Sequence, residues 1–425
     1  MTKLRVYKSK VHVQFSIQIK KHFLYLDMLK PIIRFILLFN LTLCFGARTN
    51  AQTALDKYLS VRSRSFQPYN FFIEKKFLFN NPLTDTLSVQ INSAPELQKT
   101  VDTGLKDRIY GIEIRNAGKP NLDSIFKVAA LLPHLIYLKI SDPFFDSDDQ
   151  AVYELPASIQ SLRNLQGIEF LATNKLDMPS AITSISVLKD LTFLSFEAYN
   201  HPLPSSILTL GNVHNVKLSS ENIAGLDLND VKWTTVELEG AAPKIGRDET
   251  ALDKISQIST LTALEAKYLA VDDYSVFHKL NRLKTLSIWF SAISKDKKLF
   301  NQLNRLPNLE NLTVDFNRDT TQQLDGLEQL TNLRSFSLID CGSLEKNPAD
   351  LQRIGALTRL EYLVLNRDNF TALPDIFGSL KFLKTVNLSS NGIKDLPAGL
   401  FLLPEVRQID ISNNRLTSIP QTPFT

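Results

Sequence analysis

Three stretches near the end of the chain decide its fold: Leu360-Glu-Tyr-Leu-Val-Leu365, Leu383-Lys-Thr-Val-Asn-Leu388 and Val406-Arg-Gln-Ile-Asp-Ile411. Each has aliphatic residues at its first, fourth and sixth positions, and consecutive copies start 23 residues apart. Apolar side chains on alternate residues predict a short strand with one buried face. A strand that recurs at a fixed period predicts a solenoid, whose stacked repeats share one elongated core.

The residues after each strand predict how the chain turns back. Counted from the first aliphatic residue of a repeat, Asn391 and Asn414 both occupy position 9. A side-chain amide there is expected to bond the backbone of the turn that leaves the strand. Leu396-Pro397 and Ile419-Pro420 follow at equal spacing, and proline ends strand pairing.

The same spacing recurs through most of the chain and predicts 13 repeats of 20 to 30 residues. They begin at Ile109, Leu135, Leu165, Leu191, Val213, Trp233, Leu261, Leu283, Leu309, Leu333, Leu360, Leu383 and Val406. With Leu373-Pro374, Leu396-Pro397 and Ile419-Pro420, the last three repeats resemble the 23-residue Leu-Pro type of the leucine-rich repeat family. The resemblance implies an α/β solenoid: a right-handed horseshoe with a parallel concave sheet and a helical or irregular convex side.

The N-terminal 51 residues are predicted to be an export signal. Residues 28–51 are the signal proper, because a short basic start is followed by the mostly apolar run Phe35–Phe45. That run is too short for a spanning helix, which favours cleavage after Ala51. Residues 1–27 form an unusually long basic segment before this signal. The alternative explanation is that the start codon has been assigned too early and that Met28 is the true first residue. Lipid anchoring at Cys44 is the alternative to cleavage.

Residues 52–106 are predicted to cap the apolar end of the array, and residues 107–425 to form the repeat domain. A strand at Thr86–Ile91 and a helix that Ser93 caps are expected in the cap region, which is alternatively a small independent domain. Cys341 occupies the asparagine position of its repeat, so a buried thiol is expected. Cleavage after Ala51 would leave one cysteine and no internal disulfide, which suits a bacterial exported protein better than an animal receptor.

Charge and motifs exclude several classes of function. The net charge of +4 comes from the first 51 residues, since residues 52–425 carry 39 basic and 43 acidic side chains. This mildly acidic body argues against nucleic acid as a partner. We find no catalytic motif, cofactor motif or zinc-ligand spacing, and we predict no enzyme activity. The acidic run that starts at Asp142 lacks the spacing of a calcium loop, which favours a solvated turn.

The candidate binding residues lie at positions 5, 7 and 8 of the middle repeats, where side chains are expected to face outward on the concave sheet. They are Trp289 and Ile339 at position 7, Tyr268, Phe290 and Phe316 at position 8, and the neighbouring acids Glu237, Glu239 and Glu265. An aromatic cluster flanked by acids is typical of a protein-binding surface. The alternative is that the position-8 rings, and Trp289 with them, belong to the core.

We therefore predict an exported, non-enzymatic solenoid that binds a protein, or a glycan, on its concave face. It would be secreted, periplasmic or displayed on the cell surface, with no membrane span in the mature chain. The alternative is a structural or adhesion component that self-associates through its C-terminal end, because no cap sequence follows the last repeat. A third class, the recognition part of a larger enzyme, would need a catalytic segment outside the repeats.

Overall fold

The computed structural model describes residues 87–115, 121–142, 152–240, 247–290, 296–319, 321–345 and 347–417. The predicted export signal, the Ala51 cleavage site and most of the acidic run lie outside these residues. Among the residues described, no helix combines the length and the apolar character needed to cross a bilayer.

One open parallel sheet runs through the described chain. Its 14 strands follow one another in sequence order, and each pairs in parallel with the next. The strands are β1 (Leu87–Ile91), β2 (Ile109–Arg115), β3 (Tyr137–Ser141), β4 (Gly167–Leu171), β5 (Phe193–Glu197), β6 (Asn215–Ser219), β7 (Thr235–Glu239), β8 (Ala263–Leu269), β9 (Thr285–Phe290), β10 (Asn311–Asp315), β11 (Ser335–Ile339), β12 (Tyr362–Asn366), β13 (Thr385–Asn387) and β14 (Gln408–Asp410). The fold is a solenoid, as the repeat spacing predicts, and it is the horseshoe of about 13 repeats that the resemblance to leucine-rich repeats implies.

The predicted register of the repeats is confirmed strand by strand. From β3 to β14, each strand begins two residues after the predicted first residue of its repeat. The repeat that begins at Trp233 is confirmed as well, because that ring is 2% exposed and β7 follows it. Irregular repeat length therefore leaves the strand register intact.

A single elongated core lies behind the sheet. The residue at position 4 is at most 1% exposed in every repeat from Ile112 to Val386. Burying one such aliphatic side chain contributes about 1.5–3 kcal/mol, so stacking supplies most of the stabilisation. At the last repeat Ile409 and Ile411 are only partly buried.

Short helical segments form the convex side. The α-helices are α1 (Ala94–Thr100), α2 (Leu122–Ala129), α3 (Met178–Ile185), α4 (Arg247–Ser256) and α5 (Leu299–Leu303). The 3-10 helices are Lys106–Arg108, Ala157–Ser161, Ser205–Thr209, Tyr274–Lys279, Leu327–Gln329, Gly342–Glu345, Pro348–Ala356 and Ala398–Leu402, and Val101–Leu105 is a π-helical turn. Pro156, Pro204 and Pro397 precede three of them in extended conformation, so the Leu-Pro step starts the convex segment.

The predicted cap region contributes a strand and a helix to the solenoid. β1 pairs with β2, and the buried Leu97 of α1 packs into the common core. Ser93 stands at the N-cap of α1, but its side chain makes no capping bond, contrary to expectation. Glu96 supplies a bond instead, since its carboxylate accepts from the Asn92 amide at 2.6 Å.

The position-9 asparagines bond the backbone as predicted. Asn391 Nδ2 donates to the carbonyls of Leu365 at 2.9 Å and Leu388 at 3.1 Å, which joins two adjacent repeats. Asn414 repeats this arrangement with the carbonyls of Leu388 and Ile411. Cys341, at the same position of the tenth repeat, is fully buried, as expected.

Candidate binding surface on the concave sheet

The side chains at positions 3, 5 and 7 of each repeat form the concave face, and Trp289 is the tryptophan on that face. Trp289 occupies position 7 of β9 and is partly buried, while its indole Nε1 donates to Ser287 Oγ at 2.9 Å. The ring therefore folds back along its own strand towards position 5. Ser287 is in register with Glu265 of β8, so this fold brings the indole towards that carboxylate. Trp289 thus faces the concave side, where the sequence places it.

Tyr268 is the exposed aromatic neighbour of Trp289. Its backbone is left-handed, with φ of 56°, and the register of β8 against β9 shifts between Ala266 and Leu269. Because of this bulge, Leu269 enters the core and the Tyr268 side chain, 53% exposed, turns outward. The side chain of Tyr268 is thus exposed, as the sequence leads one to expect, at a residue with a left-handed backbone.

Phe290 and Phe316 do not face outward, and that expectation is wrong. Both rings are buried in the core and stack on each other with centroids 5.7 Å apart. Phe290 also contacts Tyr274, and Phe316 contacts Phe300, both on the convex side. The physical reason is alternation: in a strand that stays extended, position 8 points to the same side as positions 4 and 6. Neither ring is part of the concave face.

Ile339 lies on the concave strand β11 at position 7, yet it is only 4% exposed. It is in register with Asp315 on one side and Asn366 on the other. Neighbouring strands are about 4.8 Å apart, so adjacent side chains cover one another on this face. The prediction of an exposed aliphatic anchor at Ile339 is therefore wrong.

The three predicted acids belong to a row of alternating charges that crosses β5 to β8. Lys217 Nζ lies 2.8 Å from Glu197 and 3.5 Å from Glu237. Lys267 Nζ lies 2.5 Å from Glu237 and 3.6 Å from Glu265. Adding Glu239 at position 7 of β7, we call these four glutamates and two lysines the charged row. The row carries a net charge of −2 when every carboxylate is ionised.

Burial changes the acidity of two members of the charged row. The pKa of Glu265 is raised to about 7: burial is the main cause, Lys267 opposes it, and the neighbouring Glu237 adds to it. Burial also raises the pKa of Glu239, against the attraction of Lys217. Glu265 is therefore only partly ionised at neutral pH in the free chain. The site can take up or release a proton when its surroundings change.

Sequence reasoning found three of the four acids of this row and missed Glu197 and both lysines. Lys217 and Lys267 were detectable, because they occupy positions 5 and 7 of strands adjacent to the glutamates. A smaller ion-paired group on β3 and β4 was missed too: Glu169 accepts from Tyr137 and pairs with Lys139. Opposite charges at equal positions of neighbouring repeats are the signal for both.

A family model identifies the repeats independently of this geometry. Residues 320–421 match the model described as a leucine-rich repeat region. This match and the repeat geometry of the sheet both support a leucine-rich repeat family. The matched residues cover β11 to β14, and the same strand geometry continues back to β2.

Known relatives and solved structures of similar architecture span several kingdoms. Adenylate cyclase of Schizosaccharomyces pombe is 23% identical over 324 residues, which are 72% of this leucine-rich repeat chain and 17% of the cyclase. Toll-like receptor 7 of Mus musculus is 32% identical over 181 residues, which are 37% of this chain and 17% of the receptor. The chain thus spans less than a fifth of the length of either relative.

Two solved structures of bacterial proteins are also similar to this chain. An internalin from Listeria monocytogenes is 14% identical with a TM-score of 0.42, covering 76% of this chain and 89% of the internalin. A leucine-rich repeat protein of Leptospira interrogans is 20% identical with a TM-score of 0.37, covering 79% and 90%.

Proposed function

We propose that this chain is an exported, non-enzymatic binding protein that recognises a protein partner on its concave face, with Trp289 as the anchor. The observation that carries the proposal is the pair of Trp289 and Tyr268: the exposed Tyr268 lies at the β8 bulge opposite Trp289, and both adjoin the charged row. A leucine-rich repeat solenoid presents an extended curved surface of this kind to partners. Tryptophan and tyrosine are the side chains most enriched among residues that dominate binding energy.

A protein partner suits the surface better than a glycan does. The charged row beside Trp289 holds buried carboxylates that need charged or multiply hydrogen-bonding groups opposite them. A neutral sugar would leave the net charge uncompensated, whereas a protein side chain compensates it directly. The alternative is that a glycan binds only by stacking on Trp289, and binding to a carbohydrate array would detect it.

The experiment that tests the anchor is the substitution Trp289→Ala, measured against a partner that the full chain captures and that is then purified. We expect affinity to fall about 30-fold, or ~2 kcal/mol, which is the range of an interface anchor. The fold should survive, because Leu286 and Ile288 supply the inward side chains of β9. Ser412→Ala, at the equivalent position of the last repeat, is the matched control and should leave affinity unchanged. A sharp drop in melting temperature with unchanged affinity would make Trp289 a core residue and end the proposal.

Export is the second part of the proposal, and it rests on the signal-like sequence between Met28 and Ala51. N-terminal sequencing of the protein recovered outside the cytoplasm should begin at Gln52. An acylated Cys44 as the first residue would replace cleavage at Ala51 with lipid anchoring. Recovery of an uncleaved cytoplasmic chain would contradict export altogether.

Self-association through the C-terminal repeat is the second candidate function. Val406, Ile409 and Ile411 occupy core positions, but they are only partly buried, unlike their equivalents in the preceding repeats. An apolar face of this kind is suited to stacking on a second copy. Light scattering over a hundredfold concentration range separates the two functions, because a mass that stays constant excludes assembly.

A further inference from the structure

The charged row leaves one carboxylate oxygen without a partner. Glu265 Oε1 lies 3.6 Å from Lys267 Nζ, whereas Glu265 Oε2 accepts no hydrogen bond from any described residue. The side chain is 8% exposed, so water does not hydrate this oxygen freely. A buried acceptor without a donor costs about 1–3 kcal/mol, and more when it is ionised. In the free chain, Glu265 Oε2 therefore lacks a hydrogen-bond donor.

The missing donor should carry a positive charge. The charged row has four glutamates and only two lysines, and Lys267 already lies 2.5 Å from Glu237. The arrangement does not suit a metal ion, because lysine ammonium groups separate the carboxylates. No group of three or more metal-ligating side chains is assembled in the part of the chain that the structure describes. One additional monovalent cationic group would both supply hydrogen bonds and reduce the charge excess.

The surroundings of Glu265 suit a long basic side chain. Trp289 folds over position 5 next to Glu265, and the exposed Tyr268 lies beside it at the β8 bulge. Aromatic faces attract guanidinium and ammonium groups, and arginine stacks on them as well. A small rotation of the Glu265 carboxylate group about its soft terminal torsion would turn Oε2 towards an incoming donor.

We propose that the protein partner inserts an arginine or lysine side chain between Trp289 and Tyr268, where it pairs with the carboxylates of Glu265 and Glu239. This inference rests on the proposed function, since it names the group that the concave face recognises. The basic side chain would donate to Glu265 Oε2 and extend the charged row by one cation. Recognition of an acidic segment at the same place is excluded by the charge that the row already carries.

The test uses a random peptide library displayed on phage and panned at pH 8 against the full chain. Peptides enriched by the wild type should carry arginine or lysine, and they should be lost on a Trp289→Ala bait. Glu265→Gln keeps the size of the side chain and removes its charge, so it should weaken an enriched peptide about tenfold or more. Glu239→Gln serves as the second variant. Asp410→Asn, which removes a concave charge on β14, is the matched control and should have no effect.

The possible outcomes separate the two proposals. One outcome is that the enriched peptides need Trp289 but show no preference for arginine or lysine, and bind Glu265→Gln and Glu239→Gln as well as they bind the wild type. That outcome overturns the basic-side-chain inference and leaves the proposed function standing. A library that yields no Trp289-dependent peptide overturns both. Enrichment of acidic peptides overturns the inference as well.

The pH dependence of one enriched peptide without histidine gives an independent check. A cation binds the ionised form of Glu265, so binding lowers the pKa of that carboxyl from about 7 and releases a proton. Affinity should therefore fall about tenfold between pH 8 and pH 6. The charged and titratable groups around Glu265 are Glu237 and Glu239 on β7, Lys217 on β6 and Lys267 on β8, and the facing β9 residues Ser287 and Trp289 do not titrate. An affinity that stays constant over this range in the wild type contradicts the inference.

Discussion

The concave face differs sharply between β6–β9 and β12–β14, although both regions have the same strand register. In β6–β9, positions 5 and 7 hold Trp289 and all of the charged row except Glu197, and burial raises the pKa of Glu239 and of Glu265. In β12–β14, the same positions hold small or neutral polar side chains, apart from Val364 and Asp410. In the last two repeats, by contrast, position 9 is asparagine, and the side chains of Asn391 and Asn414 bond the backbone of consecutive turns. We call this series of position-9 side chains the asparagine ladder. The regular repeats of β12–β14 have side chains that favour stacking, and the irregular repeats of β6–β9 carry the charged and aromatic concave surface.

This contrast has a thermodynamic basis. A buried, partly paired carboxylate such as Glu265 stabilises the fold less than an apolar or amide side chain would. The asparagine of a regular repeat satisfies both its donor and its acceptor capacity on the backbone, as Asn391 does. A surface with unsatisfied charge is therefore expected where binding, rather than folding, requires it.

The largest effect we predict tests whether the two regions are separable. Leu388→Asp places a charge at a fully buried position of the regular repeats, which should cost about 4 kcal/mol or more. Because solenoid repeats contact mainly their neighbours, the last repeats should unfold while β6–β9 stay folded. Both tryptophans of the chain, Trp233 and Trp289, lie in the middle repeats and report on that region alone. Circular dichroism should lose part of its signal while tryptophan emission stays native.

Gln408→Asp is the matched control, since that side chain is exposed on the adjacent strand β14. It should change the free energy of unfolding by less than about 0.5 kcal/mol. A single cooperative transition that takes tryptophan emission with it would show that the two regions fold as one unit.

Sequence alone predicted the fold almost completely, because position 4 and position 6 side chains have one physical role in every repeat. It predicted the site less well, for two reasons that particular residues illustrate. Phe290 follows strand alternation and enters the core, whereas Tyr268 has the left-handed backbone that recurs at position 8 of several repeats, as at Ala198 and Ser390, and its side chain is exposed. Ile339 and Glu237 occupy outward positions, yet their neighbours on the curved face bury them. Exposure on a concave sheet depends on curvature and on the size of adjacent side chains, which a one-dimensional pattern does not contain.

An intermediate effect on stability is expected at the eleventh repeat, where an aspartate stands at position 9 in place of asparagine. Asp368 takes position 9 of the eleventh repeat, is fully buried, and accepts from the Cys341 amide at 2.7 Å. Its second oxygen, Oδ2, accepts no hydrogen bond from any described residue. Burial raises the pKa of this carboxyl well above its usual value, with further upward shifts from Asp340 and Asp315. The folded chain therefore holds this proton more tightly than the unfolded chain does.

Asp368→Asn should raise the free energy of unfolding by about 1 kcal/mol at pH 7, because an amide can donate to the carbonyls as Asn391 does. The sign of the pH dependence follows from the raised pKa. Wild-type stability falls as pH rises above the usual value of 3.8, where only the folded state still holds the proton. Urea denaturation between pH 4 and pH 8 should show a smaller slope for the variant, and the exposed Asp395→Asn should keep the wild-type slope. Equal slopes for Asp368→Asn and wild type would mean that Asp368 is ionised in the fold.

The smallest effect concerns the backbone turn that exposes Tyr268. Tyr268 and Ala198 both occupy position 8 with left-handed backbones, at φ of 56° and 53°, in the seventh and fourth repeats. Glycine adopts this conformation without the steric penalty of other residues, so Tyr268→Gly and Ala198→Gly should each stabilise the fold by about 0.5 kcal/mol. Ala198 lies outside the proposed site, so its variant should bind the partner like wild type. Tyr268→Gly should bind more weakly despite its greater stability, because it removes one aromatic wall. If both variants bind equally well, the bulge at Tyr268 has a purely structural role and the binding surface reduces to Trp289 and the charged row.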